Sequence, residues 1–389
     1  MTPEVGGTVA PGFEPVAAAF AEAFSQHDAM GAALAVRADG RPVVDLWGGV
    51  ADARTSTPWS DSTVSVIFSC TKGLMAILAA KLVQEGRLDY EAPVAEYWPE
   101  FAQAGKEKVL VRHVLAHRSG LSAPVVDFST DDLLDWSTVT SALAAQRPLW
   151  APGYAHSYHA ITHGWLIGEV IRRITGATPG DWFRTVITDP LGVDAWIGAP
   201  ATIEPRIARL SVGETLRSHV DELAAQRVAG VVDWPDRAMT MGGALPPTLV
   251  DGDEGFNDPR LHAAQIPAAG AIASASALAT IWSATVVAEG GVRLLDADIV
   301  NIARRSQSDG QPFYPAPAPW PRWGMGFQLD SEARRYLTAH SFGHDGAGGQ
   351  VAFADPVHRI GFAFTTNVME AVDQRATRII DALRECVSS

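Results

Sequence analysis

In "GAALAVRADGRPVVDLWGG", two β-prone apolar runs flank Ala38-Asp39-Gly40-Arg41, and the Asp-Gly pair between them predicts a hairpin. Near the other end, "RWGMGFQLD", "SFGHDGAGGQVAFADP" and "RIGFAFTTNV" predict three further strands separated by Gly or Asp-Pro turns. "DQRATRIIDALRECV" then sets Ile379, Ile380 and Leu383 at helical spacing, which predicts a C-terminal helix. Strands at both ends with helices between them predict one antiparallel sheet built from both termini. That is an α+β architecture rather than alternating βαβ units. On this reading residues 1–75 and 265–389 form a discontinuous sheet lobe, and residues 76–264 form a mainly helical lobe across a cleft.

Within the middle, "ITHGWLIGEVIRRITG" carries Trp165, Ile167, Ile171 and Ile174 on an amphipathic pattern and closes at Gly176. Residues 231–260, rich in Pro, Gly and Asp, read as a long loop beside a cleft. From Leu261 to Ala288 there is no Asp, Glu, Lys or Arg, and roughly 20 apolar residues suffice to span a bilayer. This stretch, however, is mostly Ala, Ser, Thr and Gly. It fits a short strand at Ala271–Ala273, a serine cap at Ser274 or Ser276, and a buried helix closing at Gly290 and Gly291. "PFYPAPAPWP", at 312–321, reads as a rigid surface loop.

Charge and cysteine content narrow the function classes. With 389 residues, 47% of them hydrophobic, the chain can bury a substantial core. Its 30 basic and 44 acidic residues give a net charge of −14. There is no basic cluster of the kind that neutralises phosphates, so nucleic acid and membrane are not expected partners. Cys70 and Cys386 cannot make a disulfide framework. The opening "MTPEVGGTVAPGFEP" lacks a charged segment followed by an apolar one, so a cytoplasmic location is expected.

Candidate chemistry begins at "IFSCTKGLM". Lysine is scarce, with Lys72, Lys81, Lys106 and Lys108 the whole complement, yet one stands three residues after Ser69 where an apolar helix begins. At that spacing the amine reaches the serine oxygen. Burial disfavours its charged form, setting a base beside a nucleophile. A serine helix cap followed by an incidental lysine would give the same pattern. In "WAPGYAHSYHAITHGWLIGE", Tyr158 falls just ahead of a helix, where a cationic lysine could drive it toward phenolate and make it a general base. Tyr158 or Tyr154 could equally be a core aromatic. His156, His159 and His163 have no carboxylate or cysteine among them, so no metal is expected. In "FGHDGAGGQVAFADP", Gly346, Gly348 and Gly349 let backbone approach a ligand. The Ala347 amide could there pair with that of Ser69 as an oxyanion hole. No Gly-x-Ser-x-Gly elbow occurs.

Ser69-x-x-Lys72, a tyrosine after Pro-Gly, and His344-x-Gly346 on a late strand together resemble the serine β-lactamase and penicillin-recognising superfamily. Within it the chain is similar to class C β-lactamases and their esterase relatives, the family VIII carboxylesterases. The likeness extends through "LDYEAPVAEYWPEF", "VLAHRSGL", "YHAITHGWLIGEVIRRITG" and "GHDGAGGQVAFADP". It implies a helix-flanked antiparallel sheet with a largely helical second lobe, a β-lactamase/transpeptidase-like fold. It also implies an acylated Ser69, a proton-handling pair in Lys72 and Tyr158, oxyanion-hole amides from Ser69 and Ala347, and structural roles for His117 and Arg118. No cofactor is implied.

Departures point to esters. Ala160 stands where class C β-lactamases typically have Asn, and His344 where their third motif begins with Lys. The substrate side is expected to involve Ala160, His344 and Gly346, with Trp150, Trp234, Trp320 and Trp323 in segments that could line the cleft. The expected function is a serine esterase for small carboxylic esters, acting through an acyl-enzyme. An acyltransferase of the same fold is the alternative, and a β-lactamase or a non-catalytic ligand sensor is less favoured.

Overall fold

The two ends of the chain meet side by side in one sheet. In a computed structural model that describes residues 4–25, 27 and 29–388, the N-terminal part supplies β1 (Val5–Val9), β2 (Gly31–Ala38) and β3 (Arg41–Asp52). The C-terminal part supplies β4 (Arg322–Trp323), β5 (Gln328–Leu329), β6 (Phe342–Asp345), β7 (Val351–Asp355) and β8 (Ile360–Thr366). Their order is β1-β3-β2-β8-β7-β6-β5-β4, antiparallel throughout, with Thr57–Pro58 added beside β3. The β2–β3 hairpin turns at Asp39 and Gly40, both left-handed (φ +50° and +75°), as a two-residue turn with the twist of its strands requires.

The helices around the sheet include α1 (Glu14–Glu22), α2 (Cys70–Gln84), α3 (Thr162–Thr175), α4 (Glu214–Ala225), α5 (Trp234–Thr240), α6 (Ala275–Ala284) and α7 (Arg375–Ser388). Alternation along the strands decides which face takes which helix. Leu34, Val36, Phe353, Phe362 and Phe364 turn toward Phe20 of α1 and Ile379, Ile380 and Leu383 of α7. The small residues Ala35, Ala352, Ala354 and Ala363 turn the other way, toward α6 and its Leu278 and Trp282. A Cβ at Gly361 would sit 2.2 Å from the Ala279 carbonyl oxygen, so the sheet is bare where α6 presses closest.

Several elements differ from the sequence expectation. Each of two predicted strands is divided: Gly326 (φ +83°) lies between β4 and β5, and a tight turn at Ala347–Gly349 separates β6 from β7. Residues 231–260 are not one loop. Asp233 accepts from the Asp236 amide to start α5, with Pro235 in the first turn where its missing N–H is harmless. A small hairpin at 250–255 and a helix at Pro259–Ala263 follow. The uncharged stretch forms strand Ala271–Ala273 and α6, capped by Ser274, whose hydroxyl accepts from the Ala277 amide at 3.1 Å. That helix ends at Ala284, and Gly290–Gly291 make the turn between Glu289 and Val292 instead. No helix among the described residues is long and apolar enough to cross a membrane.

Candidate active site

Cys70 through Ala80 of α2 are buried on every side, the signature of a central helix. Its start is shaped by Phe68, which takes a left-handed conformation (φ +44°) with its ring edge-on to Phe256 at 5.3 Å. The Thr71 hydroxyl donates to the Phe68 carbonyl at 2.5 Å and accepts from the Ala271 amide at 3.1 Å, holding this turn to the neighbouring strand. Ser69 therefore occupies the cap position with helical angles (φ −67°, ψ −8°). A capping serine needs extended angles to reach back to the second or third amide, and the Ser69 hydroxyl caps nothing. It lies 2.9 Å from Lys72 Nζ instead.

Lys72 is wholly buried. Nζ also meets the carbonyl oxygens of Ala160 at 2.5 Å and Ala268 at 2.9 Å, and no carboxylate is among its partners. Burial without a counter-charge drives its pKa well below that of an ordinary lysine.

Tyr158 reaches Ser69 through the clamp hidden in "VLAHRSGL". The His117 carbonyl accepts from the Ser157 amide at 3.1 Å, and His117 Nδ1 accepts from the His159 amide at 3.2 Å. The Arg118 carbonyl accepts from the Gly153 amide at 2.9 Å, while its guanidinium donates to the carbonyls of Gln307 and Gly153. The Tyr158 hydroxyl neighbours that of Ser69. Its ring lies 4.9 Å from Lys72 Nζ and stacks on Trp323 at 5.3 Å. Burial pushes the phenol above its usual range. Desolvation opposes the phenolate expected from the sequence, and Lys72, whose own charge burial disfavours, gives it little counter-charge. Tyr154 is 80% exposed and remote from this packing. The three histidines make separate bonds rather than facing one point. His159 pairs with Ser119 Oγ at 2.8 Å, and His163 donates to the Leu115 carbonyl at 3.3 Å. Among the described residues no group of three or more His, Cys, Asp or Glu side chains could hold a metal.

The turn after β6 is fastened to the segment before Ser69. Cys70 Sγ donates to the His344 carbonyl at 3.1 Å, and Gln350 Nε2 donates to that of Val66 at 3.2 Å. A Cβ on Gly346 would lie 2.3 Å from the Ile67 oxygen, so only glycine allows this approach. Among the described residues neither the Ser69 nor the Ala347 amide has a hydrogen-bond acceptor in the protein.

A cavity of about 540 Å³ opens beside Tyr158, lined among others by Ala160, Trp234, Trp320, Trp323 and Tyr314. Three residues expected on the substrate side stand elsewhere: Gly346, against the Ile67 carbonyl, Trp150 and His344. Trp150 is one layer back, its ring stacked on Phe313 at 4.8 Å. His344 is buried behind Trp323 (ring centres 5.3 Å apart), and its Nδ1–H donates to the Asp345 carbonyl at 2.7 Å. That bond leaves Nε2 as a bare lone pair without a partner. Burial pushes the imidazole down to about 3, so it stays neutral and offers a substrate no donor. The stretch 312–321 is no mere surface loop, because it forms part of the cavity wall. Nothing in its local pattern announces this; the proline spacing fixes its stiffness and tertiary packing its place.

Comparison with known proteins places the chain in a family. The Beta-lactamase family profile matches residues 16–384. Esterase/beta-lactamase LipL of Mycobacterium tuberculosis is 35% identical over 371 residues, 93% of this chain and 83% of its own. The crystal structure of a family VIII carboxylesterase superposes with a TM-score of 0.86 at 32% identity, covering 98% of this chain and all of that one. A penicillin-binding protein homologue from Caulobacter crescentus gives 0.84 at 33% identity, with 98% and 100% covered. The fold is the α+β, β-lactamase/transpeptidase-like one, and the chain belongs to the Beta-lactamase family.

Proposed function

We propose that the protein is a serine carboxylesterase that cleaves esters through an acyl-enzyme on Ser69. The observation that carries this reading is Lys72, buried without a counter-charge 2.9 Å from a serine hydroxyl that caps nothing. A neutral amine has two hydrogens and one lone pair. The carbonyls of Ala160 and Ala268 take the hydrogens, and the lone pair faces the Ser69 hydroxyl. As Oγ attacks the ester carbonyl, its proton passes to Lys72. The developing oxyanion is held by the amides of Ser69 and Ala347. When the intermediate collapses, the departing alkoxide takes the proton of Tyr158, and the Lys72 ammonium returns a proton to the phenolate. Water then attacks the acyl-enzyme with the pair accepting its proton, and Ser69 leaves reprotonated. The esterase names among the relatives support the same chemistry.

Intact-mass measurement after an organophosphonate or a p-nitrophenyl ester tests the reading. One adduct is expected, on the peptide containing Ser69, and none on Ser69→Ala. Modification of another serine, or full turnover by Ser69→Ala, would overturn it.

A further inference from the structure

The cavity beside Tyr158 has two walls of different character. One is the stretch 312–321, contributing Pro312, Tyr314, Pro315, Pro319 and Trp320. Its prolines have fixed φ and little conformational entropy to lose. It is also pinned: the Phe313 ring stacks on Trp150 at 4.8 Å and 26°, and the Phe313 amide donates to the His156 carbonyl at 2.7 Å. Tyr314 meets Trp150 edge-on at 5.9 Å. Trp150 is itself held, with Nε1 donating to the Ala155 carbonyl at 3.1 Å and its ring edge against His159. The strap is thus fastened to the loop that carries Tyr158.

Of the facing elements, one helix is held lightly. Helix α4 contributes Val220 and Leu223 to the cavity, yet none of its residues is buried. It is tied at its first turn, where the Thr215 amide donates to Glu370 at 2.9 Å, and beyond its last turn, where Arg227 meets Asp236 at 2.5 Å. The strap is fixed at both layers, whereas α4 lies on the surface of the facing wall.

We infer that the enzyme selects esters bearing a bulky apolar group that fills this cavity, and that Trp150 is a positioning residue for that selectivity, acting through Phe313 on the strap. The inference rests on the esterase reading above. A volume of about 540 Å³ lies in the range of pockets that bury most of a drug-sized ligand, far more than an acetyl group needs. Each methylene fully buried in such a site favours binding by roughly fourfold.

The test has two arms on the wild-type chain: p-nitrophenyl esters from acetate to decanoate, and acetates of methanol, 1-octanol and 1-naphthol. A rise in kcat/KM with apolar bulk is expected in one arm, which also tells whether the acyl or the alcohol side enters the cavity. A best substrate that is the smallest in both arms overturns the inference while leaving the esterase reading intact. No hydrolysis of any ester overturns both. Phe313→Ala, at a half-exposed ring outside the core, should lower the bulky-to-small ratio of kcat/KM by roughly two- to twelvefold, the worth of an aromatic stack. Phe313→Tyr should restore it. General destabilisation would lower both substrates alike, so an unchanged ratio in Phe313→Ala removes the strap from specificity.

Discussion

Lys72, when uncharged, has two hydrogens to give, and two carbonyls stand ready to receive them. Arginine cannot take that form, so Lys72→Arg should lose kcat by roughly 10²-fold or more, and its permanent charge in a buried site without a counter-charge should also lower stability. In the wild type, kcat/KM should fall in acid as Lys72 takes up a proton. Because its pKa is lowered and that of Tyr158 raised, the active protonation state spans a broad plateau between them. The limbs report the coupled pair rather than either group. An acid limb at the pKa of an ordinary lysine, about 10.4, would contradict this. His344 bears on a second prediction. With Nδ1–H given to Asp345 and a neutral ring, it cannot hold a carboxylate, and Ala160 offers no side-chain donor. A missing charge-assisted contact costs about 1.5 to 3 kcal/mol, or roughly 10- to 150-fold. Turnover of nitrocefin should therefore trail the best ester by at least that factor in kcat/KM; parity would mean that other groups bind the lactam.

At the scale of elements, the site depends on how closely β6 and its turn approach the start of α2. Gly346→Ala places a Cβ against the Ile67 oxygen and should move the Ala347 amide away from Ser69. A displacement near 1 Å can cost about 10²-fold, so kcat should fall while KM changes little. A fall in KM-dependent binding alone would point to the cavity instead. These same elements mark what was legible in the sequence. The Asp39–Gly40 turn, the Ser274 cap, α3 up to Gly176 and the C-terminal helix each carry a local signal, and each formed. β4 and β5, two residues each, are too short for any period to register. The neutral state of Tyr158 and the rearward place of Trp150 come from burial and from partners more than 150 residues distant in the chain, such as Phe313 and Trp323. No local pattern encodes those distances.

For the whole molecule, a net charge of −14 sets a field that a neutral ester does not feel and an anionic one does. Raising salt from about 10 to about 150 mM shortens the Debye length to about 8 Å and should raise kcat/KM for a half-ester of a dicarboxylic acid about threefold, with the neutral analogue unchanged. Equal response by both would discount the field. Finally, the Ser69 hydroxyl takes no part in capping its helix. A serine cap replaced by alanine usually costs about 1 kcal/mol; Ser69→Ala should cost less, read from urea melts. Selection for a folded chain therefore exerts little hold on the proposed nucleophile. A descendant that lost it would keep its shape and its cavity, and a single substitution would separate the proposed esterase from a binding protein.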